Sequence, residues 1–253
     1  MASSIHVPVL LYHHVNAQPG ATTTDPQTFR THLQWLAEQG WRSLTLGEFE
    51  AAVAGRETVG PRRFLLTYDD GSPDLSCCAS EMETFGFTGV AFLITGPVRQ
   101  GDPACIATDE VIRLAERGTL EFQSHTHRHV RVGASPEEMG ALAADLAASR
   151  AWLASTLGRS PDAIRHLAWP WGRCTPEMET LAREEGFDWQ YLVQRGSVTR
   201  VSTQLRLPRL CVDNLPVAHF TKWMTLMAAR PGGMLTNYVF GGIRRMRHGM
   251  AYW

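Results

Sequence analysis

The chain has 253 residues, 44% of them hydrophobic and 19% charged, which supports a sizeable core in one large domain or two small ones and excludes a disordered chain. A net charge of −1 with its ten histidines neutral offers no electrostatic basis for binding nucleic acid or an anionic membrane. The longest apolar run near the start, Val7 to Leu11 broken by Pro8, is too short for a signal or membrane segment, and five cysteines without a CxxC pair fit a reducing compartment, so a cytoplasmic protein is expected.

Short β-rich runs alternate with helical patterns along the chain. Pro8–Tyr12 is the first strand, followed by a helix from Asp25-Pro26 that carries Phe29, Leu33 and Leu36 before Gly40. After the strand Arg63–Tyr68, a helix behind Ser72-Pro73 sets Leu75, Cys78, Met82 and Phe85 on one face, ahead of Gly86. Strands Gly89–Thr95 and Leu120–Gln123 come next. The longest helix starts at Ser135-Pro136, where Glu138 completes a capping box, and stacks Met139, Leu142, Leu146, Leu153 and Leu157 before Gly158. Ile164–Trp169, a helix from Thr175-Pro176 to Gly186, and strands Trp189–Val193 and Leu207–Val212 complete the series.

Strands that alternate with helices pair in parallel through right-handed crossovers, and about seven such units make either a barrel or a doubly wound sheet. Both architectures place the active site at the carboxyl ends of the strands. Only Pro231 to Trp253, with Arg244, Arg245 and Arg247, departs from the pattern. It reads as a loosely ordered terminus, with a docking tail as the alternative.

Polar residues gather at the expected strand ends. Asp69-Asp70-Gly71 follows Tyr68, and two adjacent carboxylates cannot both be buried unpaired without one taking up a proton. A metal cation would resolve the conflict: one carboxylate ligates it, and the other stays ionised beside it as a base. The plain alternative is a surface turn. Strand Leu120–Gln123 runs into Ser124-His125-Thr126-His127-Arg128-His129, three histidines in five residues, and imidazole is a common ligand at zinc-type sites. An extended chain would put all three on one face, whereas a helical turn would pair His125 with His129; a solvated polar loop is the third reading. Pro170-Trp171-Gly172 after the fifth strand suits a sugar-stacking wall or a backbone N–H facing an oxyanion, or an ordinary turn. Tyr12-His13-His14 ends the first strand, where a structural histidine pair is the simpler reading. There is no GxSxG, Walker loop, GxGxxG or HExxH. Cys77-Cys78 falls on an apolar helix face and reads as core.

Taken in order, these motifs resemble the polysaccharide deacetylase family (the NodB-homology domain, carbohydrate esterase family 4). Thr67-Tyr68-Asp69-Asp70-Gly71 is similar to its TFDDG motif with Tyr for Phe, His125 to His129 to its H-[ST]-x-x-H motif, and Pro170-Trp171-Gly172 to its Pro-Tyr-Gly segment. The late Leu-x-His segment of the usual pattern has no good copy, and His219 fits it poorly. Leu11-Tyr12-His13-His14 instead resembles the opening of a circularly permuted subgroup that includes poly-N-acetylglucosamine deacetylases, and Leu207-Pro208-Arg209 resembles a late segment of that subgroup.

The resemblance implies a single-domain α/β fold over residues 1–230, a distorted seven-stranded (β/α)-barrel, with 231–253 as an Arg-rich tail. It implies a divalent metal held by Asp70, His125 and His129, with zinc first and cobalt, nickel or manganese accepted. Asp69 would be the base, His13 the acid (His14 the lesser candidate), and the Trp171 N–H the oxyanion donor. Arg209, ahead of Arg165, would steady Asp69, and Tyr68, Pro170 and Trp171 would face the substrate. The implied reaction is hydrolysis of the N-acetyl group of an amino sugar in a poly-N-acetylglucosamine-type chain or a lipid-linked or nucleotide-linked intermediate. An amidohydrolase acting on a small non-sugar amide and an inactive glycan-binding module are the alternatives, and the oligomeric state is left open.

Overall fold

The computed structural model describes residues 5–129, 131, 135–199 and 202–228. The tail expected over 231–253 lies outside the described residues. Seven strands form the frame: β1 (Val7–Tyr12), β2 (Arg63–Tyr68), β3 (Gly89–Leu93), β4 (Leu120–Ser124), β5 (His166–Ala168), β6 (Trp189–Tyr191) and β7 (Leu210–Cys211). Each falls within or against an apolar run read from the sequence. All six residues of β1 and all five of β3 are buried, as expected of parallel strands covered on both faces.

From β1 to β6 the strands pair in parallel in chain order, with Leu10 opposite Leu66, Thr67 opposite Val90, Ala91 opposite Phe122, Ser124 opposite Leu167 and Leu167 opposite Gln190. The last segment brings the curled sheet back on itself. Leu207 bridges Tyr191 in parallel, Leu210 pairs with Leu10, and the Val212 N–H donates to the Leu11 carbonyl at 3.0 Å. The result is the distorted seven-stranded α/β barrel expected from the sequence, rather than an open doubly wound sheet. Below β7, Ser197–Val198 pairs antiparallel with Val7 and Pro8.

Alternation along the strands sorts the core into two clusters. Val7, Val9, Leu65, Val90, Phe92 and Tyr191 belong to one, which Leu46, Phe49 and Val53 join from α2 (Leu46–Val53). Leu10, Tyr12, Leu66, Tyr68, Ala91 and Leu93 belong to the other, packed under the surrounding helices. Period-2 geometry therefore sends Tyr68 outward and its neighbours Thr67 and Asp69 to the opposite face.

Four helices begin as their sequence signals indicate. In α1 (Pro26–Glu38) the Asp25 carboxylate caps the Gln27 and Thr28 N–H groups. Next comes α3 (Leu75–Thr84), which starts at Leu75, two residues beyond Pro73, because Ser72 to Leu75 closes a turn first. A Ser135–Glu138 capping box opens α6 (Pro136–Thr156), and Thr175 caps α7 (Pro176–Glu184). Besides α2, the helices α4 (Thr95–Gln100), α5 (Thr108–Arg117) and α8 (Val217–Ala228) complete the layer. Among the described residues no helix is long and apolar enough to cross a membrane.

Candidate active site

Chain folding brings Asp69, Asp70, His125, His129, Trp171, His13 and Arg209 to one mouth of the barrel, where β1, β2, β4 and β5 end. The Asp69 N–H continues the sheet by donating to the Tyr12 carbonyl at 3.0 Å. Its side chain is 2% exposed, and both carboxylate oxygens accept from Arg209, at 2.6 and 2.7 Å. Arg209 is itself fully buried, with Nε donating to the Leu192 carbonyl and the guanidinium over the Phe92 ring. Burial alone would raise the Asp69 pKa, yet the charge of Arg209, then that of His125, holds it below the usual carboxylate range.

Asp70 turns the other way because its backbone is left-handed, with φ 70°, and the next residue, Gly71, has φ 85°. A Cβ on Gly71 would lie 2.8 Å from Leu93 Cδ2, so a side chain is excluded there. The Asp70 carboxylate stays partly open and sets Oδ1 3.4 Å from His125 Nε2 and 3.8 Å from His129 Nε2. Those two nitrogens face each other at 3.1 Å. Burial pushes Asp70 upward, but its hydrogen bond and Coulombic attraction to His125 prevail, and the group remains well below its ordinary value. Burial and the proximity of His125 lower the pKa of His129, favouring the neutral imidazole that binds a cation.

The backbone of Thr126 decides which histidines converge. Thr126 (φ 69°) and His129 (φ 51°) are both left-handed, so the chain is not extended past β4. His125 donates from Nδ1 to the Ala168 carbonyl at 2.8 Å, which leaves Nε2 as the ring atom directed at Asp70. His127 points elsewhere: its Nδ1 meets Thr95 Oγ1 at 2.9 Å, and its N–H donates to Asp145 at 2.6 Å. Asp145 also accepts from Arg128 Nε, so this buried carboxylate on α6 anchors the loop.

Trp171 is left-handed as well, with φ 55°, and sits second in a 3-10 turn, where its N–H has no partner within the turn. Its indole is 46% exposed, packs 4.5 Å from the His129 ring, and carries the Arg131 guanidinium 5.0 Å from its own ring centroid. Gly172 permits this turn, since a Cβ there would lie 2.3 Å from the Val193 nitrogen. Four strained non-glycine residues at one mouth are a mark of a functional site. Beside them is a cavity of about 240 Å³ lined by Thr126, Arg131, Leu142, Pro170, Trp171 and Met178, among others.

His13 lies across the mouth, and its Nδ1 meets Asp213 Oδ2 at 2.5 Å while its N–H donates to Asp213 Oδ1 at 3.0 Å. The Asp213 carboxylate is 1% exposed. Burial opposes protonation of His13, but the Asp213 hydrogen bond and the charges of Asp69, Asp213 and Asp70 outweigh it, so the pKa is raised. His14, the lesser candidate, opens the two-residue strand His14–Val15 instead.

One sequence expectation is corrected, and one alternative is set aside. Tyr68 does not face the mouth: it is fully buried in the outer core, where its hydroxyl donates to Met82 Sδ, because strand alternation points it away from Asp69. Arg165 stands before β5 at the opposite end of the barrel, paired with Glu50, which leaves Arg209 as the partner of Asp69. His219 is exposed on α8. Asp213 and Asp145 were missed. The carboxylate in Val212-Asp213-Asn214, at the end of the last strand run, was a readable signal for the first; Asp145 looks like any polar residue on a long helix.

The family profile described as polysaccharide deacetylase matches residues 56–189. The poly-beta-1,6-N-acetyl-D-glucosamine N-deacetylase of Staphylococcus epidermidis is 23% identical over 198 residues, covering 74% of this chain and 67% of that protein. Two solved structures share the fold. The Streptococcus pyogenes deacetylase PplD, in complex with acetate, has a TM-score of 0.79 at 19% identity, over 88% of this chain and 99% of the other. IcaB from Ammonifex degensii has a TM-score of 0.77 at 20% identity, over 88% and 97%.

Proposed function

The chain belongs to the polysaccharide deacetylase family, and from that premise we propose that it is a metal-dependent hydrolase removing the N-acetyl group of an amino sugar within a glycan. The observation that carries this reading is the convergence of Asp70, His125 and His129, whose donor atoms all lie within 4.8 Å of one another. One carboxylate and two imidazole nitrogens, one of them with its tautomer fixed by the Ala168 carbonyl, make a donor set for zinc, and equally for cobalt, nickel or manganese. When bound, such a cation supplies Lewis-acid activation of water and of the amide carbonyl.

The chain's own groups account for the proton movements. Asp69 is kept ionised by Arg209, and each of its oxygens retains a lone pair to accept the proton of the attacking water. The Trp171 N–H stabilises the oxyanion of the tetrahedral intermediate. His13, held at Nδ1 by Asp213, delivers a proton from Nε2 to the departing amine. Acetate and a free amino sugar result. Trp171, half-exposed beside the cavity with Pro170, offers an apolar face to a sugar ring. The name of the Staphylococcus epidermidis relative supports poly-N-acetylglucosamine-type chains as the first substrates to test. The position of the His13 strand at the start of the barrel accords with a permuted strand order.

The test is acetate release from N-acetylglucosamine oligomers, with elemental analysis of untagged protein. About one divalent ion per chain is expected in protein purified without added metal, and Asp70→Ala should lose that ion and turnover together; protein that neither carries nor takes up zinc or cobalt would overturn the metal reading. A second expectation concerns the acid. In Asp213→Asn the negative charge facing Nδ1 is gone and only an uncharged amide oxygen remains to accept from it, while burial still opposes the cation, so the imidazolium deprotonates at lower pH. The alkaline limb of the kcat profile should move to lower pH; an unmoved limb would remove His13 from that role.

A further inference from the structure

We propose that His13, Cys211 and Asp213 form a second metal site, selective for thiophilic divalent cations such as zinc, whose occupation inhibits the enzyme. Their donor atoms lie within 4.8 Å of one another and offer one nitrogen, one sulfur and one oxygen. The backbone makes this arrangement inevitable once the barrel closes. Cys211 and Asp213 are two residues apart at the end of β7 and so point to one side, while β1, paired with β7 at Leu11 and Cys211, delivers His13 beside them.

Asp213 Oδ2 lies at the centre of the group, accepting from Cys211 Sγ at 3.3 Å and meeting His13 Nδ1 at 2.5 Å. Two protons therefore point at one carboxylate oxygen. A divalent cation can replace both, because the same lone pairs would then bind metal. The bookkeeping balances when the thiol releases its proton and the imidazolium releases the one on Nδ1, so two protons leave for each cation bound. Three protein ligands with a position left open to solvent is a complete zinc set, and the thiolate discriminates against magnesium, calcium and manganese. The residue Cys211 is exposed, so a cation has access. Burial and the facing Asp213 carboxylate push its thiol up to about 12.

Inhibition follows from the reading of His13 as the acid and rests on it. With Nδ1 bound to metal, the hydrogen bond through which Asp213 orients the ring is lost, and the Nδ1 proton with it. Metal binding itself does not depend on that reading, and the two are tested separately. Cobalt(II) is titrated into the metal-loaded protein, since a thiolate–cobalt charge-transfer band in the near ultraviolet reports sulfur ligation, and Asp70, His125 and His129 supply none. The band is expected in the wild type and absent in Cys211→Ser. Excess zinc should lower turnover by about 10²-fold, the low end of a general-acid contribution, and Cys211→Ser should remove that inhibition with basal turnover unchanged. No band, or a band retained in Cys211→Ser, overturns the second site. A band that comes and goes with Cys211 while zinc leaves turnover untouched supports the site and overturns the assignment of His13 as acid.

Discussion

Asp69→Asn is expected to lower turnover by about 10²–10⁴-fold while the protein retains its metal. The amide preserves the shape of the side chain but has one acceptor oxygen in place of two and no charge, so it cannot take the proton of water. The donors of Asp70, His125 and His129 are untouched. The substitution also takes from Arg209, fully buried, one of the two Asp69 oxygens that accept from it, so unfolding curves must accompany the assay to separate lost folding from lost chemistry. Metal content equal to that of the wild type, with folded protein and a collapsed kcat, is the predicted result. A variant that keeps most of its turnover would remove Asp69 as the base.

Arg209→Met should produce the largest loss of stability, about 3–5 kcal/mol, because it leaves a buried carboxylate without its cation. Methionine fills much of the volume, so the cost is chiefly electrostatic. The pH dependence identifies the cause. In the wild type the pKa of Asp69 is depressed on folding; its contribution is present above the unfolded value of about 3.9 and is lost as pH falls through the folded value. In the variant, burial is the main remaining influence and raises that pKa, so protonation in acid relieves the penalty. Urea unfolding should therefore show the widest gap between variant and wild type at neutral pH, narrowing as pH falls. A gap that does not change with pH would mean that packing, rather than the ion pair, accounts for the loss. Turnover should fall with stability, since a protonated Asp69 is no base.

β1 and β3 were legible because parallel barrel strands are buried on both faces and read as near-continuous apolar runs, whereas β4, Leu120-Glu121-Phe122-Gln123-Ser124, was legible by alternation. The helices that were legible carry Pro or a capping residue at their start. Those that were not have identifiable reasons. The Thr45–Glu48 capping box of α2 precedes only eight helical residues, and α4 opens with Thr95-Gly96-Pro97, which reads as a turn. In the site, Asp69, Asp70, His125 and His129 were visible because each pair is close in sequence. The choice of His125 and His129 over His127 depends on left-handed backbone at Thr126, which residue types alone do not dictate. Pairings across the chain were harder still. Arg209 meets Asp69 over 140 residues and Asp213 meets His13 over 200, so neither carries a local pattern. Tyr68 was misread because a motif places it beside Asp69, whereas strand alternation places them on opposite sides.

The segment that closes the barrel has a consequence for how the protein comes into being. During synthesis, β1 emerges first, yet its partner β7 and the carboxylate that holds His13 come some 200 residues later. At about 5–20 residues per second the first strand, already paired with β2 on one side, waits roughly 10–40 s for its second neighbour. Throughout that time the nascent sheet has an open edge, and Asp69 has no guanidinium to share its burial. A closure of such long range also makes for slow folding. The nascent chain is thus both aggregation-exposed and chemically idle until its last strand docks, and completion of the fold and onset of turnover should coincide.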